Sequence, residues 1–278
     1  MHQTNAIVSK RQQLADLLKE IKMSDTYSEK IIAAFDEWTD NKAVSFEIPF
    51  IKESIYAGAS NQTRTIMLFL LLSLVEYANG AWSPFPRNIF IDTISDFSAF
   101  VRFYKKATGE EGYGKYLWPM HYAEARIFRL GAFHYEIISD ADKKRVEMHI
   151  PEGAELSPQS LDNSLKIKDS FFEKYLPEWK NIPVECHSWM LSPALKECLP
   201  QGSRILWFQS MFDLFNTDPD SNFYLQFVFD LEYFQWCNGY DLTKLRENTS
   251  LQRNLKKYVL NGGKPGMGLG FLKYHGNV

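Results

Sequence analysis

The chain has 278 residues, 45% of them hydrophobic, and a formal charge of −3. That length can bury roughly three quarters of the unfolded surface, enough for one large core or two ordinary ones. The slightly acidic balance (pI ≈ 6.1) gives no electrostatic reason to expect a nucleic acid partner, and an odd, sparse set of three cysteines without a C-x-x-C pair fits a reducing compartment better than a disulfide framework and gives no structural zinc motif.

The first residues lack the apolar core of a secretion signal. Residues 8–21 put Leu14, Leu17, Leu18 and Ile21 on one stripe with Lys and Glu opposite, which predicts a helix. Ser24 and Asp25 are caps for a second helix carrying Ile31, Ile32, Phe35 and Trp38, and Pro49 interrupts the segment that follows. Residues 61–78 form a third helix, apolar on most sides and therefore central. Its run at 66–75 is about half the ~20 residues of a membrane span, so a cytoplasmic chain without such a span is expected. Trp82-Ser83-Pro84-Phe85-Pro86 is a stop, residues 87–106 a fourth helix, and 109–114 a loop.

The period then changes from helical to two. Residues 126–138 read as one strand, with Phe133, Tyr135 and Ile137 on one face and His134 and Glu136 on the other. After a polar turn at 139–144, residues 145–150 alternate again with Val146, Met148 and Ile150 inward, completing a β-hairpin. Ser157 followed by Pro158 reads as an N-cap with proline at the first helical position, and Pro177 closes that helix. Residues 184–191 read as a strand and 193–199 as a short helix. Residues 204–214 and 223–229 read as two strands around the turn at 216–220. A last helix carries Leu251, Leu255 and Val259, and the tail GGKPGMGLGF reads as a surface loop. The expected class is α+β, with a helical domain at 1–125 and a mixed-sheet domain at 126–278 of order β-β-α-β-α-β-β.

That order, and the strings RLGAFHYEI, HIPEGAELSPQSLDNSL, CHSWMLSPALKECLP, SRILWFQSMF and TSLQRNLKKYVLNGG, resemble a bacterial N-acyltransferase family. Its members have a helical N-terminal domain and a GNAT-like C-terminal domain. The resemblance implies an acyl-CoA co-substrate and transfer of its acyl group to a small amine. It places the donor's pyrophosphate on the amides that open the helix after the fourth strand of the GNAT fold. By position those residues are Ile150, Glu152, Gly153, Ser157 and Ser160. The phosphate-loop spacing usual in GNAT enzymes is absent from PEGAELSPQS, and Glu152 and Glu155 repel phosphate.

Acyl transfer needs a base for the amine, an acid for the thiolate, and a group that polarises the carbonyl. His134 and Glu136 on one hairpin strand share polar parity with Glu147 and His149 on the other, so a register pairing even with odd positions gathers all four on one face. The family resemblance marks Glu147 as the base position; the alternative for each is a solvated strand face. Cys186 and Ser188 form a second candidate set, with His149 within reach from the adjacent strand and an acyl-enzyme route as its consequence; the alternative is a small buried thiol. The tyrosine acid usual in GNAT enzymes has no counterpart in PALKECLP. Trp189, Trp207, Phe208, Phe212, Phe223, Tyr224 and Phe227 suit either a pocket or a core, with Arg204 and Gln209 as polar points among them. The leading expectation is an acyl-CoA-dependent N-acyltransferase working by direct attack. A non-catalytic GNAT-like ligand-binding or interaction protein is the competing one.

Overall fold

A computed structural model describes residues 2–40, 44–58, 61–115, 117–140 and 143–273. The chain divides into two compact units, Met1–Arg129 and Leu130–Val278. No helix among the described residues is long and apolar enough to cross a membrane.

The first unit contains α1 (His2–Glu20), α2 (Asp25–Asp40), α3 (Ile48–Gly58), α4 (Gln62–Asn79), α5 (Arg87–Ile94), α6 (Asp96–Thr108) and α7 (Met120–Ala123). Helix α4 is its axis. Residues 66–72 are fully buried, as an all-round apolar helix requires, and α1, α2, α3, α5 and α7 pack around it. Asn61 starts it by accepting the Arg64 amide at 2.9 Å.

Two expectations in this unit are corrected. Pro49 does not interrupt a segment. It is the second residue of α3, in the first turn, where the missing N–H has no helical acceptor to satisfy. The helix expected over 87–106 breaks at Ser95, whose hydroxyl donates to the Ile91 carbonyl at 2.7 Å, a back-bond that bends helices.

The strands and later helices are β1 (Ile127–Leu130), which carries the division between units, β2 (Phe133–Asp140), β3 (Lys143–His149), α8 (Pro158–Tyr175), β4 (Val184–Ser188), α9 (Leu195–Cys198), α10 (Arg204–Ser210), β5 (Phe212–Asp218), α11 (Phe223–Phe229), α12 (Tyr233–Trp236), α13 (Ser250–Leu260) and β6 (Met267–Leu272). The sheet order is β1-β2-β3-β4-β6-β5. The β3/β4 pair is parallel, whereas β2/β3, β4/β6 and β5/β6 are antiparallel. The fold is α+β with a mixed sheet. Residues 141–142 of the expected hairpin turn lie outside the described residues.

Four readings of this half change. The strand expected over 126–138 is two strands, because Gly131 adopts φ 72° and turns the chain; a Cβ there would press on the backbone of Ser164 in α8. Residues 204–210 are helical, capped by Ser203, whose hydroxyl accepts the Ile205 amide at 3.2 Å. Residues 223–229 are also helical. Tyr224, Leu225, Val228 and Phe229 are buried at spacings of one and four, a helical stripe that the aromatic content disguised as a strand.

The tail is not a surface loop. Residues 267–272 form β6, inserted between β4 and β5. Its glycines suit that place, since a Cβ at position 268 would collide with the Leu191 carbonyl. A second apolar cluster, built on Trp189, Leu195, Tyr224, Phe229, Leu255 and Val259, packs α9, α11 and α13 together.

Candidate active site

Strands β2 and β3 set His134 opposite His149 and Glu136 opposite Glu147. Residues directly opposed across an antiparallel pair share a face, so the four candidates from the alternation stand on one side of the sheet. His134 and Glu136 are buried at 1% and 3% exposure, while Glu147 and His149 are half-buried near the end of β3. His149 Nε2 lies 2.8 Å from Glu136 Oε2. A buried carboxylate on a partly exposed imidazole fixes the ring's orientation and stabilises the imidazolium formed when the ring takes a proton.

Strand β4 adds residues to this face that the sequence reading left out. The parallel register sets Glu147 beside Glu185, so Glu185 and His187 point to the same side as Glu147 and His149. His187 Nδ1 is 3.8 Å from Glu147 Oε1, and its Nε2 is 3.9 Å from Glu185 Oε1. Arg145 donates from Nη1 to Glu185 at 2.9 Å and from Nη2 to Asp140 at 3.0 Å. The missing signal was the β3/β4 pairing. Until it fixes the parity between two strands distant in sequence, His187 cannot be placed on the face of Glu147 and His149.

The same parity separates the second candidate set from the first. Cys186 and Ser188 face the opposite side, with Val146 and Val184, so His149 does not reach them. Cys186 is fully buried, and burial first, then the charge of Glu147, pushes its thiol pKa up, away from the thiolate. The Ser188 hydroxyl accepts the Met190 amide at 3.1 Å and caps the short turn after β4. Gln209 donates to the Ser192 carbonyl at 2.7 Å, tying α10 to that turn, and Trp189 and Tyr224 belong to the second apolar cluster.

Registered pairing between β3 and β4 consists of Val146 with Val184 and Glu147 with Glu185. Strand β3 continues to His149, and β4 continues to Ser188 with β6 as its partner. The two strands therefore part at the level of His149 and His187. Beyond β3 the chain turns at Pro151, whose carbonyl accepts the Ala154 amide at 3.1 Å. Ile150 is half-buried; Glu152, Glu155 and Gly153 are exposed, with Gly153 at φ 77° and open space where a Cβ would stand.

Ser157 caps α8, its hydroxyl accepting the Ser160 amide at 3.2 Å. Among the described residues, the amides of Gly153 and Glu155 donate to no protein group. Free amides before a capped helix start attract anions, although Glu152 and Glu155 oppose them. The nearest carboxylate and imidazole atoms of Glu136, Glu147 and His149 lie within 4.8 Å of one another. Glu136 and His149 of this group share the 2.8 Å hydrogen bond.

No curated protein matches the sequence. Among solved structures, an acyltransferase in complex with decanoyl-CoA and teicoplanin superposes with a TM-score of 0.75 at 20% identity, covering 98% of this chain and 96% of that one. An acyltransferase in complex with CoA and 10C-teicoplanin gives the same values. An acyltransferase mutant in complex with octanoyl-CoA gives 0.75 at 20% identity, over 94% of this chain and 88% of that one. These likenesses establish the fold. Residues 105–272 match the family described as GNAT-like C-terminal domain, and the chain belongs to that family.

Proposed function

We propose that the chain is an acyl-CoA-dependent N-acyltransferase that moves an acyl group to an amine by direct attack. One observation carries the reading: β3 and β4 part just past Glu147 and Glu185, beside a buried-carboxylate–imidazole pair, and the chain leaving β3 runs to a capped helix start with free amides. The family match and the acyl-CoA bound by neighbours of the same fold support it.

In this reading the acceptor nitrogen gives its proton to His149, with Glu136 as the positioning residue behind it. Glu147 draws a protonated amine toward the face, and the amine gives that proton to solvent before its lone pair attacks. Ile150, Gly153, Ser157 and Ser160 bind the donor's phosphates. Cys186 and Ser188 have no part in the transfer, because they lie on the other face of the sheet.

The test is calorimetry with acetyl-, octanoyl- and decanoyl-CoA, the longer two chosen because neighbours of the fold hold them, followed by thiol release in the presence of an amine panel. Saturable binding and amine-dependent thiol release are expected. No heat at high donor concentration sinks the reading. Binding without release from any amine favours a GNAT-like binding protein instead.

A further inference from the structure

The transfer assigned above gives the amine's proton a destination but gives the departing sulfur no proton donor. The tyrosine that GNAT enzymes use is missing from residues 193–200, and those residues form the short α9 and its flanks. We propose, resting on the acyltransferase reading, that His187 is the general acid that protonates the leaving thiolate.

Placement is the first argument. His187 shares the face of Glu136, Glu147 and His149 and stands where β3 and β4 part, on the opposite lip from His149. Its side chain is 25% exposed, so a substrate atom can approach the ring. Strand β6 places Leu269 opposite it, which brings no competing polar group at that register.

The second argument is the asymmetry between the two histidines. His149 is tied through Nε2 to the Glu136 carboxylate at hydrogen-bonding distance, which orients its ring. His187 has a carboxylate toward each nitrogen, Glu147 at 3.8 Å and Glu185 at 3.9 Å. A ring carrying a proton on either nitrogen holds an N–H toward one of these carboxylates, a donor that a substrate atom can approach. Arg145 holds the Glu185 carboxylate in place. Two rings held differently on one face, one hydrogen-bonded to a buried carboxylate and one flanked at longer range, are placed for separate proton-transfer roles.

The step balances. The amine lone pair forms the C–N bond at the thioester carbonyl, and the C=O pair moves to oxygen. As that pair returns, the C–S bond breaks and its electrons stay on sulfur. His149 takes the proton from nitrogen, and sulfur takes one from His187, giving the amide and the free thiol. His149 is left protonated and His187 neutral, and exchange with water resets both.

A general acid matters most when the leaving group is basic. The measurement therefore compares octanoyl-CoA with the octanoyl thioester of 4-nitrothiophenol, with hydroxylamine as acceptor, in wild-type protein and His187→Gln. Replacement is expected to lower kcat with octanoyl-CoA by about 10²-fold or more, and with the nitrothiophenol ester by less than about fivefold. Equal losses with both donors, or a loss under about threefold with octanoyl-CoA, overturn the assignment.

His187→Asn and the melting temperature of both variants guard against a folding defect, and octanoyl-CoA calorimetry on the variants shows whether binding survives. Wild-type turnover with an unimpaired variant removes the acid alone. Wild-type protein that neither binds nor turns over octanoyl-CoA removes the acyltransferase reading together with it.

Discussion

His149 Nε2 meets the buried carboxylate of Glu136 at 2.8 Å, across a diagonal of the β2/β3 ladder in which each residue's direct partner is also titratable. The pair therefore has one end in the core and one end at the place where β3 leaves β4. If His149 is the base and Glu136 only positions it, the two residues act as a unit. His149→Ala is expected to lower kcat by about 10²–10⁴-fold and Glu136→Gln by about 10–10²-fold, while the double variant loses little more than His149→Ala alone. Steady-state kinetics with octanoyl-CoA checks this, and fully additive losses would separate the two residues.

Cys186 makes the opposite prediction. It is fully buried on the far face, so Cys186→Ala is expected to keep turnover within about twofold and to cost roughly 1 kcal/mol of stability at most, as one small buried group is removed. Intact mass after octanoyl-CoA exposure should show no adduct on Cys186. A stable acyl adduct there would reinstate the acyl-enzyme route.

The same thiol has a pH signature. Its folded pKa is raised above the ordinary value of 9.0 by burial. The folded state thus holds a proton that the unfolded chain releases, so the stability is fully present below that value and declines as pH rises past it. Urea denaturation from pH 7 to 10.5 should show a steeper alkaline decline in the natural protein than in Cys186→Ala. Parallel profiles would mean that the thiol does not contribute.

Which parts of this site the sequence discloses follows from how local each signal is. The face carrying His134, Glu136, Glu147 and His149 is legible because its two strands are neighbours in the chain and alternate cleanly. So is the Ser157-Pro158 helix start, which is settled within four residues. His187 and Glu185 are not, because their parity depends on a parallel pairing between strands separated by all of α8. Nor is β6, whose glycines look like a loop until Leu191 is known to press against residue 268. The helix at 223–229 is misread because seven mostly apolar residues carry no decisive period.

That contact gives a structural prediction. A Cβ at Gly268 meets the Leu191 carbonyl, backbone that has little freedom to move, whereas a Cβ at Gly270 comes 3.1 Å from the Phe212 Cβ. Gly268→Ala should cost about 2–3 kcal/mol through overpacking and Gly270→Ala clearly less. Equilibrium urea unfolding of the two variants decides it, and equal costs would mean that β6 does not pack as closely on that turn as described.

The acidic loop before α8 yields a prediction about the donor. Ser157 caps the helix and Gly153 and Glu155 offer free amides, but the carboxylates of Glu152 and Glu155 are exposed beside them. If the donor's phosphates sit there, removing charge should help. Glu152→Gln is expected to tighten octanoyl-CoA binding by about twofold to fivefold at low salt, the gain shrinking at 0.5 M salt as screening removes the repulsion. Ser157→Ala should lower stability by about 1 kcal/mol through loss of the cap, and it should also weaken binding. Calorimetry at two ionic strengths separates these effects. Octanoyl-CoA affinity that is indifferent to both substitutions would move the phosphates away from the start of α8, while leaving the proton chemistry at His149 and His187 to stand on its own tests.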